Sequence, residues 1–139
     1  MSALRILHVD DEADIREIVE LSLGLNPELQ VRACASGNDA IAVAADWNPQ
    51  LILLDVMMPE MDGPATLAKL RSNPRTSAIP VIFMTARAQT REIARFIGLG
   101  AQAVIAKPFD PMTLASQVQS CMQATTAADG RAPGAETRA

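Results

Sequence analysis

Five short apolar runs, each followed by a stretch with helical periodicity, constrain the fold of this chain more than any other feature. The runs are nearly continuous in apolar character, which is typical of strands buried on both faces of a parallel sheet. A β-α unit repeated five times predicts an α/β fold with a parallel sheet, right-handed crossovers and helices on both faces. The predicted strands are Arg5–Val9, Gln30–Cys34, Leu51–Leu54, Val81–Met84 and Ala103–Ala106.

The stretches between these runs carry helix-start signals. The first helix is predicted to follow Asp11, with acidic residues in its first turn where they suit the helix dipole. The second is expected after Ser36 and the fourth near Thr90. The third is expected to start at Pro64, because proline suits the first helical position. The fifth is expected to follow the pair Asp110-Pro111, a capping residue and a helix-starting proline.

The composition is that of an ordinary globular domain and excludes several function classes. The chain has 139 residues, of which 49% are hydrophobic and 20% are charged, enough for one domain with a real core. A net charge of −4 argues against a nucleic-acid surface, which would need a basic stripe. No apolar run approaches the roughly 20 residues of a membrane span. The first residues lack a secretory-signal pattern, so we expect a cytoplasmic protein.

The remaining residue patterns favour structural roles. Cys34 and Cys121 share no metal-ligand spacing, which favours two reduced thiols. His8 lies inside a strand run, so a core histidine is favoured over a ligand. We expect residues 1–123 to form the domain. Residues 124–139 are rich in Ala, Thr and Gly without an apolar period, which predicts a disordered tail too short to be an output domain.

Polar side chains follow four of the five predicted strands. Asp10 and Asp11 follow the first strand, Asp55 the third, Thr85 the fourth and Lys107 the fifth. The carboxyl ends of parallel strands meet at one edge of the sheet, which is where open α/β sheets bind ligands. We therefore expect three carboxylates, a hydroxyl and an ammonium to converge.

Converging carboxylates repel one another and need a counter-cation. Two unit charges about 4 Å apart cost about 4 kcal/mol at an effective dielectric constant of 20. The oxygen ligands favour Mg²⁺, with Mn²⁺ as a plausible substitute. Three carboxylates, one lysine and one divalent ion sum to −3 + 1 + 2 = 0. Such a pocket suits a phosphoryl group, with Asp55 as the nucleophile that forms an acyl phosphate.

Each of these residues has a simpler interpretation when it is taken alone. Asp10 and Asp11 could serve merely to cap a helix. Asp55 could merely open a turn, and Thr85 could merely cap a turn. Lys107 could merely precede a proline. Because a member of the set follows each of four strands in the right order, the joint functional interpretation is favoured over these separate ones.

These residues closely resemble the receiver domain of two-component response regulators. The resemblance covers about residues 4 to 122 and rests on five separate motifs in register. The matching segments are Ile6-Leu7-His8-Val9-Asp10-Asp11-Glu12, Leu53-Leu54-Asp55-Val56-Met57-Met58-Pro59, Met61-Asp62-Gly63, Val81-Ile82-Phe83-Met84-Thr85-Ala86, and Gly100-Ala101 followed by Lys107-Pro108-Phe109.

The resemblance implies a flavodoxin-like (βα)5 fold, a doubly wound parallel sheet of five strands in the order 2-1-3-4-5. It implies that Asp55 accepts a phosphoryl group from a sensor histidine kinase or a histidine phosphotransfer protein. It also implies that Asp11, Asp55 and the backbone carbonyl of Met57 contact Mg²⁺ directly and that Asp10 does so through water. We expect no enzymatic activity beyond the domain's own phosphorylation and autodephosphorylation.

By the same resemblance, Thr85 and Lys107 bind the phosphoryl oxygens, and the Lys107–Pro108 peptide is cis. Met57 and Arg87 lie two residues after Asp55 and Thr85, at positions that border the pocket and tune the phosphoryl lifetime in the family.

The chain departs from the family pattern at two places. Val104 stands three residues before Lys107, where the family usually has Tyr, Phe or His, so no ring is available to turn with Thr85. The segment 100–103 lacks the acidic pair that many DNA-binding regulators use in a dimer contact. We therefore expect a stand-alone receiver that binds a downstream protein through its fourth helix, fifth strand and fifth helix, or that passes its phosphoryl group onward, with no nucleic-acid or membrane partner.

Other protein classes fit the sequence less well. An aspartate-nucleophile, Mg²⁺-dependent phosphohydrolase places its nucleophile after the first strand and a second Asp two residues on, whereas Glu12 and Ala13 stand here. A flavin-binding relative would need a hydroxyl- and glycine-rich loop after the first strand. A degenerate receiver that serves only as a scaffold is disfavoured because every site residue is present.

Overall fold

The five apolar runs form one parallel sheet in the computed structural model of the chain, which describes residues 4–130 and the side chains through residue 122. The strands are β1 (Leu4–Val9), β2 (Leu29–Cys34), β3 (Leu51–Asp55), β4 (Val81–Thr85) and β5 (Ala103–Ala106). Each strand begins and ends within one residue of its predicted bounds. The strand order is β2-β1-β3-β4-β5, as predicted.

Five helices alternate with these strands in the described part of the chain, namely α1 (Ala13–Gly24), α2 (Gly37–Trp47), α3 (Gly63–Arg71), α4 (Thr90–Gly98) and α5 (Leu114–Gly130). Two of them start at a side-chain cap. Ser36 Oγ accepts the Asp39 backbone N–H at 3.1 Å, and Asp62 Oδ1 accepts the Ala65 N–H at 2.9 Å. Such caps satisfy amide groups that have no partner inside the helix.

Helix α5 differs from its prediction at both ends. It starts at Leu114 rather than directly after Pro111, because Asp110 Oδ1 accepts the Met112 N–H at 2.9 Å and closes a turn before the helix. It continues to Gly130, so helix replaces the tail predicted for residues 124–130. Residues 131–139 of that predicted tail lie outside the described residues, and the domain limit at residue 123 stays a prediction.

Helices cover both faces of the sheet and bury two hydrophobic clusters. Leu7 and Val9 of β1 face the cluster shared with α2, α3 and α4. Ile6 of the same strand faces the cluster shared with α1 and α5. Alternate residues of one strand point to opposite faces, so both faces must be apolar, which explains the nearly continuous runs. The flavodoxin-like fold is therefore confirmed. Within residues 4–130, no helix is long and apolar enough to cross a membrane.

The strand order places the polar strand ends next to one another. The order reverses between β1 and β3, whose register pairs Val9 with Leu54. The residues that follow, Asp10 and Asp55, therefore lie side by side at the switch point of the sheet, where open α/β sheets form their binding crevice.

Gly63 allows α3 to start directly against the end of β3. Its N–H donates to the Val56 carbonyl at 2.8 Å. A Cβ atom there would lie 2.8 Å from the Asp55 carbonyl oxygen and 2.8 Å from the Val56 Cα. Both are backbone atoms that cannot turn aside, so the loop beside Asp55 depends on this glycine.

We expect Gly63→Ala to lower the free energy of unfolding by about 1–3 kcal/mol, the usual range for overpacking a filled site. The matched control is Gly24→Ala, because a Cβ at Gly24 meets nothing within 4 Å. That control should be neutral or stabilise by up to about 1 kcal/mol. Urea unfolding of both variants measures the difference. Equal effects at the two glycines would contradict the close approach at Gly63.

Candidate functional site

An ammonium group bridges two buried carboxylates at the carboxyl edge of the sheet. Lys107 Nζ lies 2.9 Å from Asp10 Oδ2 and 3.0 Å from Asp55 Oδ1. Asp10 is fully buried and Asp55 is 5% exposed. The Lys107 N–H donates to the Thr85 carbonyl at 2.8 Å, which extends the β4–β5 pairing. Buried charge-assisted hydrogen bonds of this length are strong, so the three charges hold the ends of β1, β3 and β5 together.

The third predicted carboxylate completes the cluster. One oxygen atom from each of Asp10, Asp11 and Asp55 lies within 4.8 Å of the others. Asp11 is exposed, so the cluster is buried on one side and open to solvent on the other. Three carboxylates and one ammonium give −3 + 1 = −2, which is the charge that one divalent cation would neutralise. Carboxylate oxygens are the ligands that Mg²⁺ prefers in proteins, so the donor set fits this ion.

The surroundings shift the proton affinities of the bridged groups. Burial raises the pKa of Asp55 to about 6, helped by the negative charge of Asp10 and opposed by the hydrogen bond from Lys107. Burial lowers the pKa of Lys107, but its hydrogen bonds to Asp10 and Asp55 raise it more, and the net shift is upward. At neutral pH Asp55 is therefore ionised but destabilised, while Lys107 stays an ammonium. An ionised carboxylate held in this way is a suitable nucleophile.

Thr85 lies at the end of β4 and is 3% exposed. Its Oγ1 accepts the Arg87 backbone N–H at 2.9 Å. The hydroxyl thus caps the turn after β4, as the simpler interpretation of this residue predicts, and its own proton stays available to another acceptor. The Lys107–Pro108 peptide is cis, as the resemblance implies.

The residues that the resemblance assigns to tuning lie around an adjoining cavity. Met57 is 75% exposed. Met57, Thr85, Arg87 and Phe96 are among the residues that line a cavity of about 420 Å³ between the ends of β3 and β4 and helix α4. Val104 pairs with Phe83 in the β4–β5 register and packs, half-buried, against the α2–α3–α4 cluster. A valine there has no ring to turn.

His8 is a core residue, as predicted, and is fully buried. Neither of its ring nitrogens has a hydrogen-bond partner in the described part of the chain, which costs about 1–3 kcal/mol for a buried polar group. Burial lowers the pKa of His8 to about 4, despite the nearby Asp10, whose charge acts in the opposite direction. The imidazole is therefore neutral at physiological pH.

Arg16 belongs to the site although sequence reasoning did not select it. Its guanidinium donates to the Asp10 carbonyl oxygen at 2.7 Å, which fixes the backbone that carries Asp10 and Asp11. The sequence feature that could have pointed to Arg16 is a cation one turn into the helix that follows an acidic pair. Exposed arginines are common on helices, so this signal alone is weak.

Comparison with known proteins shows the family. The family model described as "Response regulator receiver domain" matches residues 6–119. The chain therefore belongs to the receiver domain family of response regulators.

Solved and curated relatives agree with this membership. The chain is 28% identical to the chemotaxis response regulator CheY4 of Vibrio cholerae, with a TM-score of 0.79, covering 87% of this chain and 99% of that one. It is 34% identical over 119 residues to the response regulator Rre1 of Synechocystis sp., covering 86% of this chain and 52% of the relative. It is also 34% identical over 131 residues to the phosphate regulon transcriptional regulatory protein PhoB of Pseudomonas aeruginosa, covering 92% and 56%. The chain thus spans about half the length of these curated relatives.

We expect Asp55→Asn to raise the free energy of unfolding by about 1–3 kcal/mol at pH 7 in metal-free buffer. The folded-state pKa of about 6 exceeds the ordinary 3.8, so between these values the folded state binds more protons than the unfolded one. Asp55 therefore opposes folding increasingly as the pH rises through this window, and fully above pH 6. At pH 4 the gain should be below about 1 kcal/mol.

Urea unfolding at both pH values measures this gain. The control is Asp46→Asn, an exposed carboxylate on α2, which should change stability by less than about 0.5 kcal/mol at either pH. A gain for Asp55→Asn that is equal at pH 4 and pH 7 would contradict the raised pKa.

Proposed function

We propose that Asp55 accepts a phosphoryl group from a histidine kinase or a histidine phosphotransfer protein and that this modification controls binding to a downstream protein. Membership of the receiver family implies a donor of this class. The main support for this proposal is that Lys107 bridges Asp10 and Asp55. Asp11 adds a third carboxylate beside them. A structural ion pair would need neither the third carboxylate nor an opening to solvent.

The proposed step is an in-line transfer. An Asp55 carboxylate oxygen forms a bond to phosphorus while the bond from phosphorus to the donor imidazole nitrogen breaks, and the imidazole leaves with that electron pair. Lys107 donates hydrogen bonds to the phosphoryl oxygens, and the free proton of the Thr85 hydroxyl can do the same. Both groups are already fixed by the β4–β5 pairing, so little reorganisation is needed.

The proposed metal is Mg²⁺, which receiver domains in general bind at an acidic pocket. Asp10, Asp11, Asp55 and the backbone carbonyl of Met57 would hold it, Asp10 through water. When bound, the ion would screen the negative charge of the carboxylates and the phosphoryl oxygens.

We also propose that the acyl phosphate undergoes autodephosphorylation. Met57 and Arg87, at the solvent-facing side of the site, would tune the rate of this hydrolysis.

The proposed output surface consists of α4, β5 and α5. β5 is an edge strand of the sheet. The side chain of Arg95 is 58% exposed and lies 3.8 Å from Glu92, and Arg91 beside it is also exposed. Val104 lies on the strand between these helices, so a change at Thr85 would reach this surface through side-chain packing rather than through a turning ring. The acidic net charge of −4 supports a protein partner over a nucleic acid.

Residues 1–123 form the proposed receiver unit, and its proposed location is the cytoplasm. Only two cysteines, without metal-ligand spacing, stand in the sequence, which is consistent with a reducing compartment. The phosphohydrolase alternative is not favoured. The relatives are response regulators, and Asp55 follows the third strand, whereas such hydrolases carry the nucleophile after the first.

Incubation with Mg²⁺ and a small acyl-phosphate donor is expected to add one hydroxylamine-sensitive phosphoryl group per chain. Asp55→Asn and chelation of the metal should each abolish the adduct, whereas Asp46→Asn should retain it. Intact-mass spectrometry measures the adduct. An adduct of undiminished yield in Asp55→Asn would overturn the assignment, and steady hydrolysis of a phosphoester without a trapped adduct would favour the hydrolase.

Mg²⁺ alone is expected to stabilise the unphosphorylated protein. At about 100 times its Kd, a ligand that binds only the folded state adds about 2.7 kcal/mol to the free energy of unfolding. Asp11→Asn should lose most of this gain, because it removes an oxygen ligand on the solvent side of the cluster. Asp14→Asn, which changes an acidic residue in the first turn of α1 outside the cluster, should keep it. Denaturation with and without Mg²⁺ gives the comparison, and equal gains in both variants would argue against the proposed ligand set.

A further inference from the structure

Arg16 of α1 is half-buried, and its guanidinium binds a backbone carbonyl rather than a side chain. Glu12 and Glu20 lie one helical turn to either side of it, at the spacing at which helical ion pairs form. Among the residues that the structure describes, however, Arg16 makes no ion pair. Its Nη1 donates to the Asp10 carbonyl oxygen at 2.7 Å. The arginine therefore holds the end of β1 rather than the surface of its own helix.

The Arg16 contact completes the fixation of the peptide group between Asp10 and Asp11. The Asp10 N–H donates to the Cys34 carbonyl at 3.1 Å, which continues the pairing of β1 with β2. Asp10 Oδ1 accepts the Glu12 N–H at 2.9 Å. With its carbonyl bound to Arg16 as well, residue 10 is held through its amide, its side chain and its carbonyl, so the peptide that leads to Asp11 has a fixed orientation.

Asp11 depends on this peptide more than the other two carboxylates of the cluster do. Asp10 and Asp55 are buried and both accept from Lys107. The Asp11 side chain is exposed and makes no hydrogen bond or ion pair with any residue in the described part of the chain. Its direction is therefore set by its backbone, which begins at the carbonyl that Arg16 holds. One Asp11 oxygen nevertheless lies within 4.8 Å of an oxygen of each buried carboxylate.

We propose that Arg16 is a positioning residue that holds the Asp10–Asp11 peptide so that the Asp11 carboxylate can join Asp55 in binding Mg²⁺. This inference rests on the proposed function, from which it takes the ion and the role of Asp11. Groups that orient a metal ligand without touching the metal typically change metal affinity by about 10–100-fold when they are mutated. Arg16 is not itself a ligand, because a guanidinium has no acceptor atom.

The charge of Arg16 acts in the direction opposite to its positioning effect. A guanidinium beside the cluster repels a divalent cation. If Arg16 contributed only its charge, its removal would strengthen Mg²⁺ binding. If it holds the peptide that carries Asp11, its removal weakens Mg²⁺ binding. The sign of the change therefore distinguishes the two effects.

Titration calorimetry of Mg²⁺ with the full chain and its variants tests the proposal. Arg16→Met keeps an apolar stem and removes both the charge and the donor, and we expect it to weaken Mg²⁺ binding about tenfold. The matched control is Arg5→Met, because Arg5 Nη2 also donates to a backbone carbonyl, that of Asn48, at 2.7 Å, but near the start of β1. The control should keep wild-type affinity. Unchanged or tighter binding in Arg16→Met, or an equal loss in Arg5→Met, would overturn the proposal.

A double-mutant cycle shows whether Arg16 acts through Asp11. In an Asp11→Asn background the ligand is already impaired, so the addition of Arg16→Met should weaken Mg²⁺ binding by less than about twofold, the usual error of additivity. A second full loss of about tenfold would show that the two residues act independently, which would overturn the role proposed for Arg16.

The outcomes also separate this inference from the proposed function. If the wild-type protein forms the Asp55 acyl phosphate and Arg16→Met binds Mg²⁺ normally, only the role of Arg16 is overturned. If the wild-type protein binds no Mg²⁺ and forms no adduct, the proposed function is overturned, and the role of Arg16 with it.

Discussion

The ammonium of Lys107 between Asp10 and Asp55 is the interaction on which the site depends. Each carboxylate lies at the end of a buried strand, where a negative charge without a nearby cation is costly. Lys107 reaches both because β5 follows β4 in the sheet order and its backbone continues the pairing to Thr85. Lys107 thereby links the ends of three strands that are far apart in the sequence.

The apolar sheet makes this charged edge possible at a cost to stability. The two clusters above and below the sheet bury Leu7, Val9, Ile6 and their neighbours almost completely, which fixes the strands to within small displacements. The opposing effect is seen at Asp55, where burial destabilises the ionised carboxylate and raises its pKa. Added positive charge would stabilise such a site, which is the chemical reason to expect a divalent ion there.

The sequence predicted the fold and the convergence of Asp10, Asp11, Asp55 and Lys107 for a physical reason. Continuous apolar runs such as Leu51–Leu54 have few alternatives to a strand covered on both faces, and parallel strands bring their carboxyl ends to one edge. The position of Asp10 beside Asp55 follows from the strand order alone. Features set by single side-chain contacts were not predictable. The late start of α5 depends on the turn at Asp110, and the contact of Arg16 with the Asp10 carbonyl depends on a rotamer.

His8 illustrates the same limit at a finer scale. Its burial was predicted from the strand pattern, but the 4.0 Å between its Nε2 and Asp10 Oδ2 depends on the side-chain conformations of both residues. Val104 shows the reverse case, because its identity alone says that no ring turns at this position, while the structure adds only that it packs against the cluster beneath α4.

Lys107 holds Asp10 and Asp55 in the resting protein, and we propose that it also donates to the group that modifies Asp55. A crystal structure of the protein grown with Mg²⁺ and beryllium trifluoride checks this role through the distances from Lys107 Nζ. We expect the trifluoride to be attached to an Asp55 carboxylate oxygen, with Nζ within hydrogen-bond distance of a fluorine. A trifluoride bound elsewhere, or an Nζ out of hydrogen-bond reach of every fluorine, would show that Lys107 does not have this role.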